Sequence, residues 1–256
     1  MSTPTPWPSG PFKLIASTGI DSRPDIPKDH YCRKNAQIMA LTHNTIFRGL
    51  NSIYHHAPLV QPSTQDASDL LQFCGIVYDF IHGHHTIEEQ VYFPGIEEAS
   101  GIPGLMVENF EQHKRLDEGL QAFQEYAEKT TASSYGPETL RKLIDDMVEP
   151  LGNHMHDEVP TILDLHDKLE SETLRSIYGK MHKAAEKQDM FKSGPFAIGN
   201  QDKTFLLDGV HVPFPELPSV VNYAVDYIIS RRYRGAWRFN SSDMYGNMKS
   251  FPLGIN

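Results

Sequence analysis

Cysteine is scarce in this chain: Cys32 and Cys74 are the only two among 256 residues. That excludes a disulfide-stapled scaffold and makes a reducing compartment, the cytoplasm, the expected location. No run of about 18 apolar residues occurs, so no membrane-spanning helix is expected. The opening "MSTPTPWPSGPFKL" lacks a basic segment followed by an apolar one, so no secretory signal is read there. Positive charge is also in short supply. The 23 Lys and Arg against 33 Asp and Glu leave a net charge of −10, which argues against nucleic acid or an anionic membrane as partner. Strand signals, internal repeats and low-complexity tracts are missing as well, which leaves an all-α reading.

What the chain does contain is enough apolar material for a core, 39% with 10% aromatic, arranged in helical patterns. Residues 1–28 hold six prolines and read as an irregular arm. Four long amphipathic patterns follow, over 29–56, 66–100, 105–130 and 136–169. The last opens on Gly136-Pro137-Glu138, with proline suited to a first turn, and Pro150 and Pro160 are expected to kink it. Four such helices with short loops predict an antiparallel bundle over 29–170. Residues 171–256 form an extension expected to pack on it. That extension is read as mostly irregular, with short helices at 172–187 and 218–230 and no helical period between Phe191 and Pro218. In its tail, "SRRYRGAWRF", the aromatics are expected to pack on the bundle and the arginines to pair with surplus acids. The tail and the proline arm together could roof a pocket.

Histidine is in excess, 13 residues. Taking steps of three and four along each helix, the core stripes read Met39, His43, Ile46, Leu50, Ile53; then Leu70, Cys74, Val77, Ile81, His84, Glu88, Val91; then Met106, Phe110, His113, Leu116, Leu120, Phe123; then Ile144, Met147, Leu151, His154, Glu158, Ile162, Leu165. Every core face carries a histidine, and two carry a glutamate four residues later. A buried, uncompensated carboxylate costs several kcal/mol, so this set calls for cations. His84 and Glu88, like His154 and Glu158, share one helix face and can aim at one point. Mixed imidazole and carboxylate donors suit iron, manganese or zinc, and six donors exceed what one tetrahedral zinc needs. Two carboxylate-bridged metals are the economical reading. His85 and Glu89 repeat the spacing one step off the stripe and are read as solvated or as partners of a ligand. Asp117 and Asp157 are read as solvated or as carboxylates orienting a ligand imidazole. Cys74 is read as a buried small hydrophobe, and Tyr78 and Tyr92 as core packing. His82 is read as flanking, and His30, His55, His56, His166, His182 and His211 as surface or loop histidines.

The stretches "MALTHNTIFRGL", "HHTIEEQVYFP", "FEQHKRLDEGL" and "LGNHMHDEVPTIL" resemble the hemerythrin-like, or HHE cation-binding, domain, over about residues 30–170. The second stretch is the most specific, and the fourth, with the aromatic tail, is similar to fungal members. The resemblance implies an up-down-up-down bundle around two non-haem iron ions with an oxo or hydroxo bridge, manganese or zinc being less expected. It implies His43, His84, His113 and His154 as ligands and Glu88 and Glu158 as bridging carboxylates. The chain departs from the oxygen carriers of that family. Asn109 and Asp117 stand where a second third-helix histidine would be, and Val159 where an aspartate would follow the last histidine. The set is similar instead to the iron-repair and nitric-oxide-related branch.

Fewer protein ligands leave open metal positions, which permit chemistry as well as binding. The expected function is therefore a di-iron oxidase or oxygenase that binds dioxygen and acts on a small organic substrate. The alternative is an oxygen, nitric oxide or iron binding or sensing protein without turnover. A structural zinc or manganese site is a third reading. No electron donor is indicated.

Overall fold

The computed structural model describes residues 10–252. Its core is a ring of four antiparallel helical limbs. Helix α1 (Tyr31–His56) is followed by α2 (Gln65–Ile87), which continues through a π-helical turn (Glu88–Tyr92) into α3 (Phe93–Ser100). The third limb is α4 (Val107–Lys129) and the fourth α5 (Pro137–Leu163). Helix α1 packs on α2 and α5, and α4 packs on the same two, which closes the ring. Local chemistry sets the ends. Thr64 caps α2 by accepting from the Ala67 N–H at 3.2 Å. Pro137 opens α5, and Gly101, at φ 66°, ends α3 in the left-handed region. Helix α5 runs unbroken past Pro150 and Pro160 and turns to 3₁₀ only after Leu163. Among the described residues no extended strand occurs, and no helix is long and apolar enough to cross a membrane.

The four apolar stripes are buried nearly as read, with two exceptions. Phe110 is only partly covered, and Val91 gives its core place to Tyr92, which is wholly buried. The π turn is the cause. The Phe93 N–H reaches back five residues to the Glu88 carbonyl, which adds a residue to the turn and rotates the face that follows by about one position. Pro94, with no N–H to donate, leaves the turn before it free to widen.

Beyond the bundle, α6 (Ser171–Ala185) packs against α1, α2 and the π turn, and α8 (Ser219–Tyr227) matches the short apolar helix expected there. Between them lies a helix the sequence reading treated as irregular, α7 (Met190–Gly199). Its two glycines and Pro195 conceal it. It forms because Asp189 caps it, accepting from the Phe191 N–H at 2.9 Å, and because the wholly buried Phe196 docks where α1 has Gly49. A Cβ on Gly49 would stand 2.7 Å from the Phe196 ring.

The described part of the arm lies along the outer face of α1. Asn51 accepts from the Phe12 N–H and donates to its carbonyl, both at 2.9 Å, and Asn44 holds Ile15 in the same two-pronged way. The remainder of the expected irregular arm, residues 1–9, and the chain end, 253–256, lie outside the described residues. In the tail, Trp237 and Phe239 are buried, and Arg238 bridges Asp66 and Asp69 of α2.

Candidate metal centre

One polar cluster occupies the middle of this apolar ring. His43 comes from α1, His84 and His85 from the last turn of α2, Glu88 from the π turn, His113 from α4, and His154 and Glu158 from α5. All seven are 94% or more buried. Their donor atoms fall into two groups, each with all atoms within 4.8 Å of one another. His43, His84, Glu88 and Glu158 form one, which we label A; His85, Glu88, His113 and His154 form the other, B. Glu88 belongs to both, with one oxygen 3.2 Å from His84 Nε2 and the other 3.7 Å from His113 Nε2. Glu158 lies 3.3 Å from His43 Nε2 and belongs to group A alone.

The outer ring nitrogens fix the tautomers. His43 Nδ1 donates to the Met155 carbonyl at 2.8 Å, His113 Nδ1 to Glu89 Oε1 at 2.7 Å, and His154 Nδ1 to Gln112 Oε1 at 3.1 Å. A neutral imidazole that donates at Nδ1 presents a lone pair at Nε2. The His113 and His154 Nε2 atoms therefore turn lone pairs toward each other at 3.1 Å. His43 Nε2 lies equally close to His84 Nε2. Lone pairs this close repel each other unless a cation or a proton lies between them.

The carboxylates carry the same message. No oxygen of Glu88 or Glu158 has a hydrogen-bond partner, nor has His85 Nε2, and all are buried. Burial, reinforced by the neighbouring imidazoles, holds His84, His85 and His154 well below the usual imidazole range. Burial, then the charges of Glu158 and Glu89, push Glu88 well above the usual carboxylate range. Without metal the cluster is driven toward neutrality. A divalent cation in each group would reverse that drive, complete the orphaned acceptors, and leave coordination positions for other molecules. The donor set and the orphaned atoms thus fit a pair of metal ions.

The structure brings together all six residues read from the stripes and adds a seventh. His85, expected off the core, is buried within group B, because the centre is wider than one stripe and accepts two adjacent positions of α2. Glu158, expected to bridge, reaches only group A. Glu89 holds His113 as a supporting partner. Asp117 is exposed and belongs to neither group. Asp157 is exposed too and acts indirectly: it accepts from Gln112 Nε2 at 3.2 Å, which turns Gln112 Oε1 to His154. Gln112 and the Met155 carbonyl were not read from the sequence, since neither lies on a stripe. Cys74 is wholly buried as expected, and burial pushes its thiol up. His56, expected at the surface, is instead wholly buried under Phe239 and Phe251 of the tail.

A cavity of about 550 Å³ leads from the surface to His84. Met39 and Thr42 of α1 and Phe80 and Ile87 of α2 line its inner side. Tyr178 and Met181 of α6, Ala197 of α7 and the irregular segment 212–217 line the rest. The roof therefore comes from 178–217. No described residue of the proline arm and no residue of the "SRRYRGAWRF" tail lines it, contrary to expectation.

A closed four-helix ring with two donor groups sharing one carboxylate defines a metal-binding bundle protein. Residues 35–165 match the family described as "Hemerythrin HHE cation binding domain", and the chain belongs to that family. It is also 35% identical over 243 residues to the "Dimeric xanthone biosynthesis cluster protein R11" of Cryptosporiopsis sp. (strain 8999), a fungal relative, covering 94% of this chain and 88% of that one. No solved structure gives a significant match.

Proposed function

We propose that this protein is a non-haem di-iron oxidoreductase that uses dioxygen to oxidise a small organic molecule. The observation that carries this reading is the cavity reaching His84, whose outer walls are α6, α7 and 212–217, all beyond the family's matched segment. An oxygen store has no need of such a chamber, whereas a co-substrate does. The relative's printed name places it in a xanthone biosynthesis cluster, and covering nearly the whole of both chains, that likeness supports a secondary-metabolite substrate here.

Iron ions in groups A and B would supply the electrons for dioxygen reduction and open positions at which it binds. The chain's own residues set the conditions. Met155, Glu89 and Gln112 fix three imidazoles with their lone pairs inward. Glu88 ties the two groups together.

The test is oxygen uptake by the anaerobically reduced, iron-loaded protein. Uptake that argon does not reverse, and that an organic co-substrate accelerates, supports an oxidoreductase. Full recovery of oxygen under argon would assign the protein instead to binding or sensing of oxygen.

A further inference from the structure

The pocket is asymmetric with respect to the metals. Of the seven donors only His84 lines it, so a bound molecule meets group A and not group B. Its walls are apolar and carry flat side chains, Phe80 and Phe214 with Tyr31 and Tyr178. The one lysine or arginine in its lining, Lys34, is paired with Glu216 at 2.5 Å, and both are well exposed, which places that pair at the mouth. Among the described residues, no lysine or arginine inside the pocket awaits an anionic ligand.

One interior polar group is incomplete. Asn35, wholly buried in the pocket wall, donates its amide N–H to the Tyr92 hydroxyl, and its Oδ1 has no hydrogen-bond partner. A buried acceptor left without a donor is costly, and a ligand that brings a donor removes the cost. We infer that the pocket takes a flat, uncharged aromatic molecule bearing a hydroxyl group. The hydroxyl donates to Asn35 Oδ1, the ring lies among Phe80, Phe214 and Tyr178, and the edge to be oxidised faces His84 on the group A side. This assignment rests on the oxidoreductase reading only in calling that edge the reacting one.

Binding is measured without redox chemistry, on the full-length zinc-loaded protein, by fluorescence titration with 2-naphthol, naphthalene and 2-naphthoate. The expected order puts 2-naphthol about tenfold tighter than either of the others, the size of one buried hydrogen bond. Asn35→Leu should cost 2-naphthol that tenfold and leave naphthalene unchanged, whereas Asn35→Asp, which keeps an acceptor, should keep the preference. Ala197→Trp should abolish binding by filling the pocket. If it does not fold, Ala185→Trp at the exposed rim serves in its place. On binding, the imidazole signals of His84 should shift in the NMR spectrum while those of His113 stay.

Naphthalene or 2-naphthoate binding as tightly as 2-naphthol would overturn the inference, as would binding that survives the tryptophan variants. If Asn35→Leu does not fold, the three-ligand comparison decides alone. Binding in the expected order by a protein whose iron form consumes no oxygen would sink the oxidoreductase reading and leave the pocket assignment standing. Oxygen-consuming iron protein without such binding would do the reverse.

Discussion

At the residue scale, Glu88 is the group on which the centre turns, because it alone offers an oxygen to both donor groups. Glu88→Gln keeps the size but removes the charge that two cations share, so metal content should fall at both positions, by elemental analysis, and not at one. Gln112 makes a subtler case. It touches no metal donor group except through His154 Nδ1, and Asp157 holds it in the orientation that keeps His154 Nε2 bare. Gln112→Leu should therefore weaken metal binding by about 10–100-fold in a chelator competition, with the fold intact by circular dichroism. An unchanged affinity would mean that Gln112 only fills space.

At the element scale, two features test the packing. Gly49 on α1 lets Phe196 of α7 approach closely, and Gly49→Ala puts a methyl where the ring lies. Overpacking of this kind costs about 1–3 kcal/mol, so the variant should melt several degrees lower with little change in metal content. His56, in the last turn of α1, is covered by the tail rings, and burial lowers its pKa from 6.5 to about 4. The folded value lies below the unfolded one, so its contribution to stability is fully present above about pH 6.5 and is lost as the pH falls toward 4. The native chain should lose about 3 kcal/mol more than His56→Leu between pH 7 and pH 4, read from urea melts at the two pH values.

These elements also show where sequence reading reaches its limit. Spacing at three and four places His43, His84, His113 and His154 on core faces because a regular helix obliges it to. It misses His85 because it admits one residue per turn, while a two-metal centre is wide enough to take two. It misplaces Val91 because nothing in "EEQVYFP" announces a π turn except a proline that follows it. It overlooks α7 because that helix is held by Phe196 and an aspartate cap and not by periodicity. His56 looks like a surface residue until the distant tail covers it.

At the scale of the whole molecule, the bundle and the extension divide the labour. The ring of four limbs holds the donor groups, and 171–217 adds the pocket beside one of them. Metal and fold should then be coupled, since the carboxylate oxygens of Glu88 and Glu158 and His85 Nε2, all buried without a hydrogen-bond partner, are costly in an apolar core until cations complete them. Removing metal with a chelator should lower the melting temperature markedly, and re-adding ferrous iron should restore it. A metal-free protein of unchanged stability would show that the cluster satisfies itself.

The central claim is two metals per chain, shared through one carboxylate, and iron as the metal. The most direct measurement is elemental analysis with Mössbauer spectroscopy of the anaerobically purified, iron-57-loaded protein, native and Glu88→Gln. The account predicts close to two irons per chain, magnetically coupled in the native protein, with both lost or uncoupled in the variant. One metal per chain, zinc in place of iron, or a variant that keeps both irons coupled would contradict it.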